Sequence, residues 1–167
     1  MGKLIVIEND KVEGTDKHSL TGPGNTIPPP PPVPATYVGS GSFDYVGKMT
    51  DQLSDFVNID GKPVALKSSQ SSLNAGESAS PSGKHSGPMV KQPNPLLTTP
   101  IVAIVPSLAI VPPPTGIGNP STTAGSTFVK VASTAVLLDG DKLDTCGPPP
   151  MNATVTAENQ SFVSCSE

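Results

Sequence analysis

Proline and glycine constrain this chain more than any other residue types, with 21 prolines and 16 glycines among 167 residues. Because proline has no backbone N–H and its ring clashes with the preceding helical turn, this density argues against long helices. Both residues suit short strands joined by many turns. Aromatic residues make up only 4% of the chain, so the core must be built from Val, Ile and Leu. We therefore predict a small, compact all-β fold of short strands and hairpins with long Pro/Gly-rich loops.

Charge and apolar patterning exclude several classes of function. The net charge is −4, and all ten basic residues are lysine. Because arginine is the preferred side chain for bidentate phosphate recognition, its absence argues against nucleic-acid binding. The apolar run Leu4–Ile7 is too short for a signal-peptide core. The most apolar stretch, residues 101–111, contains Pro106 and is too short for a membrane-spanning helix. We therefore expect synthesis in the cytoplasm without a signal peptide.

Catalytic motifs are weak in this sequence. The glycine pairs at Gly39–Gly41 and Gly116–Gly118 lack the strand-to-helix setting of nucleotide-binding loops, and no lysine follows them in the phosphate-cradling pattern. Two acids flank a glycine at Asp139–Asp141, an arrangement that usually caps a turn and faces water. The protein is therefore predicted not to be an enzyme.

Two segments of similar sequence are predicted to form β-hairpins. In residues 56–66 the pair Asp60-Gly61 separates two short apolar arms, and such a pair favours a two-residue turn because both positions tolerate positive φ. Residues 128–138 align with this segment without gaps and repeat its Phe, Val, Val and Leu in place. The repeat suggests internal pseudo-symmetry, with chance similarity between hairpins as the alternative. A further strand is predicted for residues 3–12.

The other segments are predicted to be turns, loops or short extended pieces. Residues 14–24 are read as a polar turn region, and the proline run 28–32 as polyproline II. The length of the chain is that of one domain. We expect a single domain, 1–167, with loop insertions near 23–55 and 88–126.

Two histidines and two cysteines are the soft metal ligands of this chain: His18, His85, Cys146 and Cys165. All four lie in turn-rich segments, and two histidines with two thiolates form the donor set of a closed tetrahedral zinc site. Their spacing does not match a zinc finger. The alternative is two surface histidines and two buried or spare thiols. A closed site of this kind would be structural, because no position is left for water.

The order of several motifs resembles that of PAAR-repeat proteins, the spike tips of type VI secretion and related phage-tail-like systems. The matching motifs are a first histidine turn at Gly14–His18 with one inserted residue, a hairpin at Val57–Ala65, a second histidine turn at Lys84–Pro88, a Gly-Asp-to-Cys element at Gly140–Cys146 and a proline-rich entry at Pro28–Gly41.

This resemblance implies a β cone that binds one metal ion near its apex. In the family the ion is held by three histidines and one cysteine. Carried over, His18, His85 and Cys146 occupy three ligand positions, and Cys165 is left for the fourth, where the family has histidine. The implied cofactor is one structural zinc ion.

The resemblance also implies a function and a partner. The protein would cap the trimeric central spike of a contractile injection apparatus, with one copy per trimeric β-helical spike protein, and sharpen it for membrane puncture. Contact with the target membrane would be transient, and effector cargo would be carried elsewhere in the particle, which can be extracellular. The two hairpins at Phe56 and Phe128 suggest two contact patches for the trimer, and Leu4–Ile7 a third.

Two other functions remain open from the sequence. One is a metal-free β-rich scaffold or decoration protein of a phage-like particle, which predicts self-association. The other is a proline-rich adaptor that uses residues 28–34 as a ligand, which predicts poor amide protection through most of the chain.

Overall fold

The computed structural model describes residues 2–26, 34–74, 102–104 and 109–165. Within these ranges the chain forms fourteen β-strands and no helix, which confirms the prediction of a small all-β fold. The strands are β1 (Lys3–Leu4), β2 (Lys11–Thr26), β3 (Pro34–Asp51), β4 (Asn58–Ile59), β5 (Lys62–Pro63), β6 (Gln70–Leu73), β7 (Val102–Ile104), β8 (Ala109–Val111), β9 (Ile117–Pro120), β10 (Lys130–Val131), β11 (Thr134–Ala135), β12 (Lys142–Asp144), β13 (Ala153–Thr156) and β14 (Ser164–Cys165).

The two predicted hairpins are present and share one design. Strands β4 and β5 pair across a turn at Asp60 and Gly61, whose φ angles are 52° and 76°. Strands β10 and β11 pair across Ala132 and Ser133, with φ angles of 47° and 72°. Both turns therefore have positive φ at their two central residues, as a tight turn that matches the strand twist requires.

A third hairpin is assembled from distant parts of the chain. Strand β1 pairs antiparallel with β14, so that Lys3 faces Cys165 and Leu4 faces Ser164. Its two arms occupy the places of β5 and β4 in the first hairpin. The pairs β4–β5, β10–β11 and β1–β14 are called the base hairpins below.

Each base hairpin continues into a three-residue segment, and the three segments form a triangle. These segments are residues 5–7, 64–66 and 136–138. Their outer residues form the antiparallel bridges Ile5–Leu138, Ile7–Val64 and Leu66–Val136. Their middle residues are joined by backbone hydrogen bonds from Val6 N to Leu137 O (3.0 Å), from Ala65 N to Val6 O (2.9 Å) and from Leu137 N to Ala65 O (2.9 Å). Because every segment makes the same contacts with the next, this part of the fold has threefold pseudo-symmetry.

The core beneath the triangle follows the same symmetry. Its side chains come in four sets of three, one from each repeat: Val57, Val129 and Val163; Ile59, Val131 and Cys165; Ile5, Val64 and Val136; Ile7, Leu66 and Leu138. Burial of these apolar groups stabilises the base hairpins, which are too short to be stable alone.

A polar side chain closes the turn after each side of the triangle. Asp10, Ser69 and Asp141 accept hydrogen bonds from the N–H groups of Ile7, Leu66 and Leu138, each at 2.8 Å. These three turns direct the chain into β2, β6 and β12. The repeat unit is therefore an incoming strand, a base hairpin, one side of the triangle and an outgoing strand.

The six incoming and outgoing strands form a closed antiparallel sheet. They run in the order β13, β12, β9, β6, β3 and β2, and β13 also pairs with β2 to complete the ring. The middle residues of the triangle, Val6, Ala65 and Leu137, contribute to the core inside this ring together with Val12, Tyr45, Met49 and Leu143 among others. The base hairpins lie at one end of the ring.

The hairpin β2–β3 extends beyond the ring. The two strands pair from Lys11–Lys48 to Asn25–Pro34, and the far part of β2 also pairs with β7 and β8. The segment predicted as a turn at 14–24 is therefore strand, and that prediction is wrong. The described part of the insertion predicted near 23–55 is largely the added strand β3. Backbone ladder bonds do not require β-branched side chains, so a glycine-rich segment can pair when its partner is long and antiparallel.

The second predicted insertion, near 88–126, lies partly outside the described residues. Its described part includes β8 and β9. The proline run 28–32 also lies outside these residues. Among the described residues, no helical segment has the length and hydrophobicity that a membrane span requires.

Candidate functional site

Strand β2 places Asp16 and His18 on its inner face. Side chains alternate between the two faces of a strand, and in β2 the odd residues from Glu13 to Ser19 are exposed whereas Asp16, His18 and Leu20 are buried. The His18 ring packs edge-on against Phe43 of β3, with ring centroids 5.5 Å apart. This contact fixes the position of the imidazole.

The turn after β12 brings Cys146 to the same place. Lys17 N donates to Pro148 O at 2.7 Å, which holds this turn against β2. Asn152 closes the turn internally, because its Oδ1 accepts from Thr145 N at 3.0 Å and its Nδ2 donates to Gly147 O at 3.0 Å.

Gly147 is required for the close approach of this turn to the histidine. A Cβ atom there would lie 2.6 Å from Lys17 O and 2.8 Å from His18 Cε1. Both distances are shorter than real Cβ contacts, and one of the atoms is backbone, so any larger residue must displace either the turn or the imidazole.

Asp16, His18 and Cys146 form a compact group of potential metal ligands. His18 Nε2 lies 3.2 Å from Asp16 Oδ1, Cys146 Sγ lies 3.3 Å from Asp16 Oδ2, and Cys146 Sγ lies 3.9 Å from His18 Nε2. Thr145 Oγ1 also donates to Asp16 Oδ2, at 2.9 Å. The group lies on the far side of the triangle from the base hairpins, roughly 15–25 Å along β2 from Lys11 at the rise of a strand.

The group is shielded from water. Asp16 is fully buried, His18 is 7% exposed and Cys146 is half-buried. Burial raises the pKa of the Cys146 thiol to about 12, and the adjacent Asp16 carboxylate adds to the rise. Without a cation, the thiol is therefore protonated at neutral pH and donates to Asp16. A buried carboxylate is costly unless it is paired, and the hydrogen bonds from Thr145 and Cys146 contribute to that pairing.

The three side chains lie close enough together to hold one metal ion, because one ligand atom from each lies within 4.8 Å of the others. Carboxylate, imidazole and thiolate are all donors that bind metal ions in proteins. A carboxylate and a thiolate would also neutralise a divalent cation.

The sequence-predicted ligands fall in different places. His18 and Cys146 lie together, whereas His85 lies outside the described residues. Cys165 lies in the core of the base at the place that Ile59 and Val131 occupy in the other repeats, and its thiol contacts Ser126 Oγ at 3.7 Å. Among the described residues, the group of potential ligands around His18 and Cys146 contains Asp16 and not Cys165. Asp16 therefore joins His18 and Cys146 in the candidate donor set.

The sequence does not single out Asp16, because its segment is predicted to be a turn. In a turn, residues two apart have no fixed relation, but in a strand they share a face. If Gly14–His18 is taken as a strand, the spacing of two residues places Asp16 on the same face as His18. That spacing is the signal in the sequence that identifies Asp16.

The base hairpins form a second candidate site, a face with three equivalent corners. Phe56, Phe128 and Phe162 lie at corresponding positions of the three repeats and are 67%, 73% and 67% exposed. The backbone before each ring is fixed by a buried polar side chain. Ser54, Ser126 and Gln160 each accept hydrogen bonds from the phenylalanine N–H and from the N–H of the following valine, at 2.9–3.4 Å.

Comparison of the chain with protein-family models, with curated proteins and with solved structures found no match.

Proposed function

We propose that this protein is a non-enzymatic structural cap that sits on the blunt end of a trimeric β-helical spike in a contractile injection apparatus and sharpens it for membrane puncture. The observation that carries the proposal is the threefold pseudo-symmetry of the base. The motif order that resembles PAAR-repeat proteins favours a spike of the type VI secretion or extracellular phage-tail-like kind.

A single chain with three equivalent corners can contact all three subunits of a trimer. The end of a homotrimer presents three identical surfaces related by rotation, and the symmetry of a partner constrains the interface that can close on it. An asymmetric monomer would contact one subunit well and the others poorly. Here each repeat presents the same backbone hairpin, so one chain can contact all three subunits in the same way.

The rest of the fold provides the stiffness that a puncturing cap requires. The ring of six strands is closed, and the triangle of backbone hydrogen bonds links the three repeats to one another. Bending one repeat therefore strains the other two. Prolines in extended positions lower the entropy of the unfolded chain, which further favours the stiff state.

The group Asp16, His18 and Cys146 fits the role of a structural zinc site away from the base. Bound zinc would supply cross-linking between β2 and the turn after β12, which are far apart in the chain. Asp16 and Cys146 would contribute negative charge, and the Phe43 contact would orient His18. His85 is the candidate for the fourth ligand on the basis of the sequence resemblance.

The stoichiometry of binding tests the cap function. The purified chain is mixed with a trimeric β-helical spike protein from a contractile injection system of the same genome, and the mass of the complex is measured by light scattering after gel filtration. We expect one chain per trimer. Three chains per trimer, or no complex, would contradict the proposal, and self-association of the chain alone would favour the metal-free decoration protein.

Elemental analysis tests the metal site separately. Protein purified without chelator is expected to contain about one zinc per chain, and Asp16→Ala, His18→Ala and Cys146→Ala are each expected to lose it. Cys165→Ala is the matched control, because it removes a thiol outside the group and should retain zinc. Full zinc content in all four variants would exclude this group as the site.

A further inference from the structure

Three of the four phenylalanines of this chain are exposed. Phe43 alone is buried among them, against His18. Single exposed apolar side chains are ordinary on protein surfaces. Three rings at equivalent places of a pseudo-symmetric face are a pattern, and large exposed aromatics are typical of binding anchors.

The backbone that carries each ring is held by hydrogen bonds. At each corner a buried Ser or Gln side chain accepts from two consecutive backbone N–H groups, so the Cα position of the phenylalanine is fixed. The valine after each ring, Val57, Val129 or Val163, packs into the core of the base. An anchor whose backbone is already ordered loses less entropy on binding than one on a mobile loop.

The residue before each ring is polar and exposed: Asp55, Thr127 and Ser161. Each ring therefore has an exposed polar group beside it in the chain, at a different repeat of the base. A single broad apolar surface on a partner would leave these polar groups without water, whereas separate pockets would not.

From these observations we infer that Phe56, Phe128 and Phe162 are three equivalent anchors that insert into three identical apolar pockets, one on each subunit of the trimer. This inference rests on the proposed function, because it names the residues through which the cap holds its partner. It also describes the chemistry of the partner: an apolar pocket in a polar surround, repeated at 120° about the axis.

Binding of corner variants to the spike trimer tests the inference. The trimeric β-helical spike protein used for the stoichiometry is immobilised, and affinities are measured for Phe56→Ser, Phe128→Ser and Phe162→Ser. Each is expected to weaken binding about tenfold or more, as truncation of an aromatic anchor does. The three losses should agree within about threefold, and a double variant should show roughly the product of two single losses. Val111→Ser is the matched control, because Val111 is 47% exposed on β8 and lies outside the base hairpins.

The outcomes separate this inference from the proposed function. If one chain still binds per trimer but the three corner variants bind like Val111→Ser, the anchors are elsewhere and the cap function stands. If one corner carries all of the loss, the partner does not present three equal pockets and the inference fails. If the unmodified chain forms no complex, both are overturned. Each variant should unfold at the same temperature as the unmodified chain, because the rings are mostly exposed to solvent. A variant with a lower unfolding temperature is replaced by Phe→Gln at the same position.

Discussion

Replacement of Asp10 by alanine should destabilise the fold more than any equivalent change in the other repeats. Asp10 is fully buried, and its carboxylate accepts four hydrogen bonds: from Ile7 N at 2.8 Å, and from Glu158 N, Asn159 N and Asn159 Nδ2 at 2.9 Å each. The first of these closes a turn of the triangle. The other three attach the C-terminal segment to the N-terminal one.

The expected loss follows from the donors that the variant leaves behind. A buried donor without a partner costs about 1–3 kcal/mol, and hydrogen bonds to charged groups lie at the upper end. If two of the four donors recover a water partner, the loss for Asp10→Ala is about 3–5 kcal/mol, near the upper limit for single substitutions. Ser69 holds the corresponding position in the second repeat, where its Oγ accepts one hydrogen bond from Leu66 N and donates one to Gln52 O. Ser69→Ala should therefore cost about 1–2 kcal/mol.

Urea unfolding followed by circular dichroism measures these losses. With a slope of about 2 kcal/mol per molar urea, Asp10→Ala should lower the midpoint by about 2 M. Asp44→Ala is the control, because it removes an exposed carboxylate that accepts a single bond from Thr15, and it should stay within about 0.5 kcal/mol. A loss for Asp10→Ala below that for Ser69→Ala would refute the reasoning.

Three further predictions test the site and the core. Gly147→Ala should lower the zinc content, because its Cβ would overlap the atoms of Lys17 and His18, and undiminished zinc on elemental analysis would count against the site. Cys165→Val should unfold within about 1 kcal/mol of the unmodified chain in urea, since valine already fills the equivalent place as Val131, and a large loss would argue for a thiol-specific role. Burial raises the pKa of Tyr45 to about 12, so the neutral phenol is the form that the fold favours. The stability that this shift contributes should be complete below pH 10 and lost as the pH rises towards 12, and Tyr45→Phe should flatten that part of the pH profile. Equal pH dependence in both proteins would show that another group is responsible.

Local sequence patterns were sufficient for the two continuous hairpins. Asp60-Gly61 specifies a tight turn through positive φ at adjacent residues, and the alignment of residues 56–66 with 128–138 predicted their common design. Proline and glycine content predicted an all-β chain. These features depend on residues that are neighbours in sequence, so the sequence contains them directly.

Only part of the metal-ligand group could be predicted from the sequence. His18 and Cys146 were identified by residue type, because few other soft ligands exist in the chain. Asp16 was not, since a carboxylate is an ordinary residue until its strand and its face are known. Cys165 is the other cysteine in the sequence, and in space it packs against the apolar core of the base and beside Ser126 Oγ.

Composition, turn chemistry and one repeated hairpin are what the sequence determined by itself. The tertiary structure alone decided that β1 and β14 complete a third repeat, that the glycine-rich hairpin β2–β3 is strand, and that three phenylalanines occupy equivalent corners. Each of these depends on backbone hydrogen bonds between residues far apart in the chain, whose donors and acceptors are the same for every residue type except proline. Side-chain identity therefore carries little information about such pairings, and they become visible when the strands are placed side by side.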